Sequence, residues 1–382
     1  MKLSALTLAG ASLASCAPAP QPTEEPAPAA TEAPAGLPEK TIGVVIWSTT
    51  GTSALQVLST LEKASKFTNC KIDVLASGYN ADAQLKDVES LAAKGVDGIM
   101  ICNSSEEVVA KLADVAEQNK IYFGQFFRNL TKPEIHDRVF SSPYYVGNAH
   151  EDEPGVAYNL GKAIADLGIK NVAITTGPHG DSTAENRYAG LTKAFNEFGV
   201  TVLAEQWDVT TGEQATTASQ NFISSYPELE LIATMYSVEA IKAAVTAIKN
   251  AGKEGKIKVA AQDTTGDGPY DLALLASGNA LMAGGHIIDP LFNYMQLANA
   301  VQGMPLSDKP FECIITQIIF NAKRAEIYFN QMEKGNELTG YNEDEMKLMF
   351  KGTNPNATAE LLIQMAKDWS VEDFAKRRGI SM

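Results

Sequence analysis

The stretch Ala81-Asp-Ala-Gln-Leu-Lys-Asp-Val-Glu-Ser-Leu-Ala-Ala-Lys94-Gly-Val-Asp-Gly-Ile-Met-Ile-Cys102 decides the fold. Its first fourteen residues put Leu85, Val88, Leu91 and Ala92 on one helical face, the spacing of an amphipathic helix that covers something apolar. Gly95 follows and begins the turn into the third strand. Asp97-Gly98 then turns the chain into Ile99-Met-Ile-Cys102, a run with no polar alternation. Such a run suits a strand covered on both faces, the situation of a parallel sheet. Helix, glycine and fully apolar strand in 22 residues are therefore one αβ unit.

The same rhythm extends both ways. Thr41–Trp47 reads as the first strand, about 52–67 as a helix, and Lys71–Ala76 as the second strand. Glu106–Asn119 is helical and Ile121–Gln125 is the fourth strand. After 141–153 the series restarts. Strands are expected at 171–176, 200–206, 229–234, 257–261 and 280–284. The helical segments fall at 160–167, 183–198, 213–225, 238–251 and 269–277. Repeated βα units give parallel sheets with right-handed crossovers. Two such series predict an α/β protein of two doubly wound parallel-sheet lobes. In open sheets of this kind ligands sit beyond the carboxyl ends of the strands. The residues there form a polar and aromatic set that includes Trp47, Asn103, Arg128, Asp181, Trp207, Asp208, Tyr236, Asp263 and His286. Rings that cover sugar faces, with Arg, Asp and Asn bridging hydroxyls, suit a polyol.

The 382 residues are 45% hydrophobic and 20% charged, an ordinary globular composition long enough for two cores. A formal charge of −15 argues against a nucleic-acid partner, whose phosphates it repels. Residues 1–16 read as an export signal: a basic start, then an apolar run from Leu3 to Ala14 too short to span a bilayer. It ends in Leu13-Ala14-Ser15-Cys16, which resembles a bacterial lipobox and makes Cys16 the lipidation site. Residues 17–39, rich in Pro, Ala, Glu and Thr, read as an extended tether. No later apolar run is long enough to cross a membrane, so membrane attachment is expected through the lipid only. Cys70, Cys102 and Cys313 lack Cys-x-x-Cys spacing, so neither a zinc nor a redox site is expected. A Cys70–Cys102 bridge is one option.

From 40 to 320 the order of features resembles the sugar-type periplasmic binding proteins of ABC importers. The resemblance rests on Gln84–Ile99, on Phe127-Arg128-Asn129 after the fourth strand, and on Arg187-Tyr-Ala-Gly190. It also rests on Gln262-Asp263-Thr264 at a strand end and on Gly285-His286 where the chain returns to the first lobe. It implies crossovers near 146–150, 285–288 and 310–314. The first lobe is then 40–147 with 287–311, and the second is 149–285 with 313–320. Solute binding in the cleft would close the lobes of a monomeric receptor and present a new surface to permease subunits. The sequence departs from the family at Trp47-Ser-Thr-Thr, where an aromatic run is usual, at Phe127 for an Asp, and at Met235-Tyr236 for Asn-Asp. These changes add aromatic area and leave room for a less polar solute. Residues 321–382 have no counterpart in minimal members and read as a helical extension, with helices at 325–334, 342–350, 357–367 and 371–378.

The resemblance implies that Arg187 and Asp263 bond solute hydroxyls. Arg128 is expected in the cleft too, with pairing to an acid such as Asp152 as the plainer role. His286 either meets solute or ties the crossover. Trp47, Trp207 and Tyr236 are stacking candidates, and Asn148, Asp181 and Asp208 are polar ones whose alternative is turn capping. His136, His150 and His179 are expected at the surface. No nucleophile elbow, zinc-protease motif, Walker loop or dinucleotide fingerprint occurs, so no catalytic residue, cofactor or metal is expected. A sensory receptor, or a nucleoside or autoinducer-type solute, is the alternative reading.

Overall fold

A computed structural model describes residues 36–285, 287–333 and 339–382. The signal, Cys16 and most of the tether lie outside the described residues, as does His286. The first series runs β1 (Lys40–Ile46), α1 (Thr52–Thr68), β2 (Cys70–Ala76), α2 (Ala81–Lys94), β3 (Gly98–Ile101), α3 (Glu106–Asn119), β4 (Tyr122–Phe126), α4 (Pro133–Phe140) and β5 (Tyr145–Glu151). The second runs α5 (Glu153–Asp166), β6 (Asn171–Thr175), α6 (Ser182–Phe198), β7 (Thr201–Gln206), α7 (Gly212–Ser225), β8 (Leu231–Thr234), α8 (Val238–Asn250), β9 (Lys258–Gln262), α9 (Gly268–Ala276) and β10 (Ala280–Gly284). Then come α10 (Asp289–Val301), β11 (Phe311–Ile315), β12 (Ile318–Ile319), α11 (Ala322–Ile327), a π-helical turn (Tyr328–Glu333), α12 (Glu343–Lys347), α13 (Ala359–Asp368) and α14 (Val371–Arg378).

The opening stretch folds as its pattern requires. Asn80 caps α2 by accepting from Ala83 N at 2.8 Å, Gly95 ends it at φ 76°, and all four residues of β3 are buried. One six-stranded sheet has the order β11-β5-β4-β3-β1-β2, and its pairs are parallel. The other has the order β12-β10-β9-β8-β6-β7, parallel except for β12 against β10. Two parallel-sheet α/β lobes are thus present, linked by three crossovers.

Two crossovers fall later than expected. β5 pairs in the first sheet through Glu151, so the chain leaves that lobe at Asp152 rather than within 146–150. β11 pairs in the first sheet through Ile315, so the last crossing is at 316–317 rather than 310–314. In both cases the strand's ladder bonds outrun the break suggested by composition. The second crossing follows Gly284 and ends where α10 begins, close to the expected 285–288.

The helix α10 has no counterpart in the expected series. All thirteen of its residues are buried. A helix covered on every side shows no solvent-facing polar stripe, and here the polar residues are themselves buried. It lies between the first sheet and the extension. Asn293 donates to Gly147 O at 3.1 Å, Gln296 to Phe311 O at 2.9 Å and Asn299 to Met349 O at 3.0 Å, so each buried amide nitrogen finds a main-chain carbonyl.

The extension is helical as expected and packs on both lobes. Phe350 meets Phe67 of α1 at 6.4 Å and Tyr341 meets Phe292 of α10 at 6.3 Å, both on the first lobe. Arg324 of α11 donates to Ile319 O of β12 at 3.0 Å, on the second. Burial disfavours the Glu345 charge, yet Arg378 at 2.7 Å and Arg377 at 2.7 Å overcome it and hold the carboxyl at about 2, which ties α12 to α14. The end of the expected tether is also fixed: Asn69 donates to Leu37 O at 2.9 Å and Gln302 to Pro38 O at 3.0 Å. All three described cysteines are buried and free, so the Cys70–Cys102 bridge is not formed.

Candidate functional site

The strands of both sheets end toward a shared cleft. After β4 the chain turns sharply at Phe127, whose φ of 62° is left-handed and strained for a bulky residue. Phe127 N donates to Ala149 O at 2.9 Å, which holds the turn, and Gln125 Nε2 donates to Arg128 O at 2.8 Å. The turn delivers the Arg128 side chain, which is buried. Its NH1 donates to Phe127 O at 2.9 Å, its guanidinium lies 5.8 Å from the Tyr79 ring centre, and its Nε has no hydrogen-bond partner among the described residues.

From the second lobe Asp181 approaches it. Asp181 caps α6 with Oδ1, which accepts from Ala184 N at 3.0 Å. Its Oδ2 lies 3.6 Å from Arg128 NH2 and accepts from Tyr236 Oη at 3.1 Å. Arg128 and Asp181 are only 8% and 7% exposed, so this is a buried ion pair that joins the lobes directly. Burial opposes the Arg128 charge, but Asp181 more than offsets it and keeps the guanidinium firmly protonated. Burial pushes the Tyr236 phenol up, so it stays a donor. Three expected cleft residues thus meet, and Arg128 pairs with Asp181 instead of Asp152.

Arg187 and Asp263 also come together, but in a different way. Arg187 is buried within the second lobe. Nε and NH2 grip Glu153 at 2.7 and 2.9 Å, and NH1 donates to Asp263 at 2.8 Å and to the carbonyls of Gln262 and Met235 at 2.6 and 3.3 Å. These carbonyls terminate β9 and β8, so the guanidinium stitches two strand ends to α5. Gln262 Nε2 donates to the same carboxylate at 2.5 Å. The network marks Arg187 as a residue that holds the lobe's cleft-facing edge.

The other candidates spread out. Trp47 follows β1 and lies 5.8 Å from Phe127. Asn148 is wholly buried in β5, with Nδ2 3.5 Å from Arg128 O, so it backs the arginine turn. Trp207 follows the edge strand β7 and stacks on His179 at 3.9 Å and against Tyr188 at 4.8 Å. Asp208 beside it is exposed, in a left-handed turn at φ 61°. His150 is buried on β5, 3.5 Å from Glu312, contrary to its expected surface position, because β5 continues through it.

Sequence reasoning did not find Tyr79, Glu153 or a carboxyl pair at the hinge. Glu151 ends β5 and Asp289 opens α10, both fully buried. Burial and then the neighbouring Asp289 charge push Glu151 well above the usual carboxylate range, and burial does the same to Asp289. A cavity of about 450 Å³ opens between the lobes, bordered by Trp47, Lys242, Thr264 and the crossover residue Ile287. Among the described residues no group of three metal-binding side chains occurs, and no helix is long and apolar enough to cross a membrane.

Residues 42–279 match the family described as periplasmic binding protein domain. By sequence, no curated protein matches the chain. Among solved structures, the chain is similar to a periplasmic solute-binding protein of an ABC transporter from Actinobacillus succinogenes 130z with bound D-allose. The two are 19% identical, with 76% of this chain and 100% of that one covered and a TM-score of 0.66. An ABC transporter solute-binding protein from Bacillus halodurans C-125 with bound myo-inositol gives 17%, 76%, 98% and 0.65. The fructose-binding periplasmic domain of a hybrid two-component system gives 17%, 81%, 98% and 0.65.

Proposed function

Because the chain belongs to the periplasmic binding protein family, we propose that it is the solute-binding lipoprotein of an ABC importer for a sugar or sugar-like molecule. The observation that carries this reading is the bridge of Arg128, Asp181 and Tyr236 across the cleft. A guanidinium, a carboxylate and a phenol on opposed lobes offer donors and an acceptor at the spacing that a polyol's hydroxyls can replace. Solute that exchanges for the direct ion pair keeps the lobes together through its own hydrogen bonds, and the closed form is what permease subunits would read. Asp263, at the end of β9, is the second acceptor in this reading, and Arg187 positions it. Trp47 supplies an apolar face beside the bridge. The receptor is monomeric, has no catalytic step or cofactor, and is held outside the cytoplasmic membrane by a lipid on Cys16. A sensory receptor is the second reading, since a fructose-binding sensor domain shares the fold.

The test is a thermal-shift screen of the purified chain against carbohydrates and nucleosides. A ligand at a hundred times its Kd stabilises by about 2.7 kcal/mol, a rise of several degrees. A sugar or polyol hit that is weakened in Arg128→Met supports the reading. A nucleoside hit with every carbohydrate silent refutes the sugar assignment.

A further inference from the structure

Tyr79 is an aromatic residue beside the Arg128–Asp181 bridge whose ring is not enclosed. It follows β2, the edge strand of the first sheet, and β2 lies three positions from β4 in the order β4-β3-β1-β2. At ~4.8 Å per strand, the ends of β2 and β4 are about 14 Å apart. The Arg128 guanidinium nevertheless lies 5.8 Å from the Tyr79 ring centre, so loop and arginine lean toward each other across the ends of β1 and β3. The loop is pinned on both sides of the tyrosine. Gln84 Nε2 donates to Gly78 O at 3.2 Å and to Cys102 O at 3.0 Å, and Asn80 caps α2. Gly78 makes the turn at φ 64°. What this fixed loop presents is a ring that is 52% exposed.

The two ends of this side chain differ. Its phenol lies among Cys102, Arg128, Tyr236 and Asp181, and burial keeps it protonated, well above its ordinary range. A guanidinium beside a ring is drawn to the electron-rich face. That contact, and the cover it gives the ion pair, uses part of the ring and leaves the rest open. A lone exposed aromatic is common on a protein surface. This one is held next to polar atoms with nothing to bond: Arg128 Nε and Asn103 Oδ1, after β4 and β3, are buried and have no hydrogen-bond partner among the described residues. The strand ends beside the ring thus offer one donor and one acceptor. We propose that Tyr79 determines specificity in the cleft as a stacking platform, which takes a pyranose or cyclitol with an unbroken C–H face over one with axial hydroxyls on both faces. The C–H face lies on the ring, while Arg128 Nε and Asn103 Oδ1 bond hydroxyls at the solute's edge. This rests on the sugar reading above and names the stereochemical class of the solute.

The test measures, on the full chain, the Kd of the D-aldohexoses, the inositols and adenosine by calorimetry. Glucose and scyllo-inositol carry axial hydroxyls on neither face, and altrose and idose carry them on both. Wild type should favour the tightest sugar with an open C–H face over altrose and idose by about tenfold. Tyr79→Ala should weaken that sugar by about three- to tenfold, the scale of one aromatic contact, and close most of the gap. Tyr79→Phe should keep both affinity and preference, because the ring and not the phenol forms the platform. Tyr79→Leu, apolar but without a ring, should lose part of the preference. The residue is half-exposed, so Tm should stay within about 2 °C of wild type in all three variants. A favoured sugar bound equally by wild type and Tyr79→Ala, or altrose and idose bound as tightly as glucose, overturns the platform and leaves the sugar reading standing. Adenosine as the sole binder, or silence of every compound, overturns the sugar reading and the stereochemical class with it.

Discussion

Replacing Arg187 with methionine should loosen the second lobe before it touches solute binding. The guanidinium makes five hydrogen bonds, two of them to Glu153 and one to Asp263, and all three side chains are nearly inaccessible to solvent. Methionine keeps most of the volume but strips the buried Glu153 carboxylate of its only cation within the network. Breaking a buried pair in this way costs about 3–5 kcal/mol, because a charge remains with no compensation. For a lobe of this size each kcal/mol lowers Tm by about 2–4 °C, so a fall of roughly 6–20 °C is expected in the solute-free protein. Urea unfolding with and without solute separates the two roles. Arg187→Met combined with Glu153→Gln should recover part of the loss, since the second change removes the stranded charge. A variant whose Tm stays within about 2 °C of wild type, yet binds solute tenfold more weakly or worse, would refute the reasoning. The guanidinium would then belong to the ligand.

Two further outcomes follow from the same interior. Asp271 of α9 is raised from 3.8 to about 6 by burial, although its Oδ2 accepts from Thr265 N at 2.9 Å. The folded state therefore holds this proton more tightly than the unfolded chain. That advantage is complete below about pH 4 and is lost as pH rises through 6, a change of about 3 kcal/mol. Asp271→Asn should match wild type near pH 4 and exceed it by up to that amount at pH 7.5; parallel pH profiles would contradict this. Asp181→Asn removes the charge that holds Arg128 across the cleft. At about 1.5–3 kcal/mol for a hydrogen bond to a charged group, the solute-free protein should shift toward the open form by more than tenfold. Small-angle scattering would show a larger radius of gyration, and an unchanged profile would mean that the bridge does not govern closure.

The sequence alone determined the two βα series and nearly every helix and strand in them. Strand and helix periods are local properties, written within a few turns of chain, and Ala81–Cys102 shows them completely. It also marked Arg128, Asp181, Tyr236 and Asp263 as residues that follow strands, where an open sheet places its ligand. Which of these meet was decided only by tertiary structure. Arg187 finds Glu153 34 residues away and Asp263 76 away, and Arg128 finds Asp181 across the cleft. No local pattern distinguishes a guanidinium that will be buried in a network from one that will face solute. The crossovers shifted for the same reason, since β5 and β11 stop where their ladder partners stop. The buried helix α10 escaped a pattern search because no face of it is left to solvent, and its polar stripe of Asn293, Gln296 and Asn299 is buried with the rest.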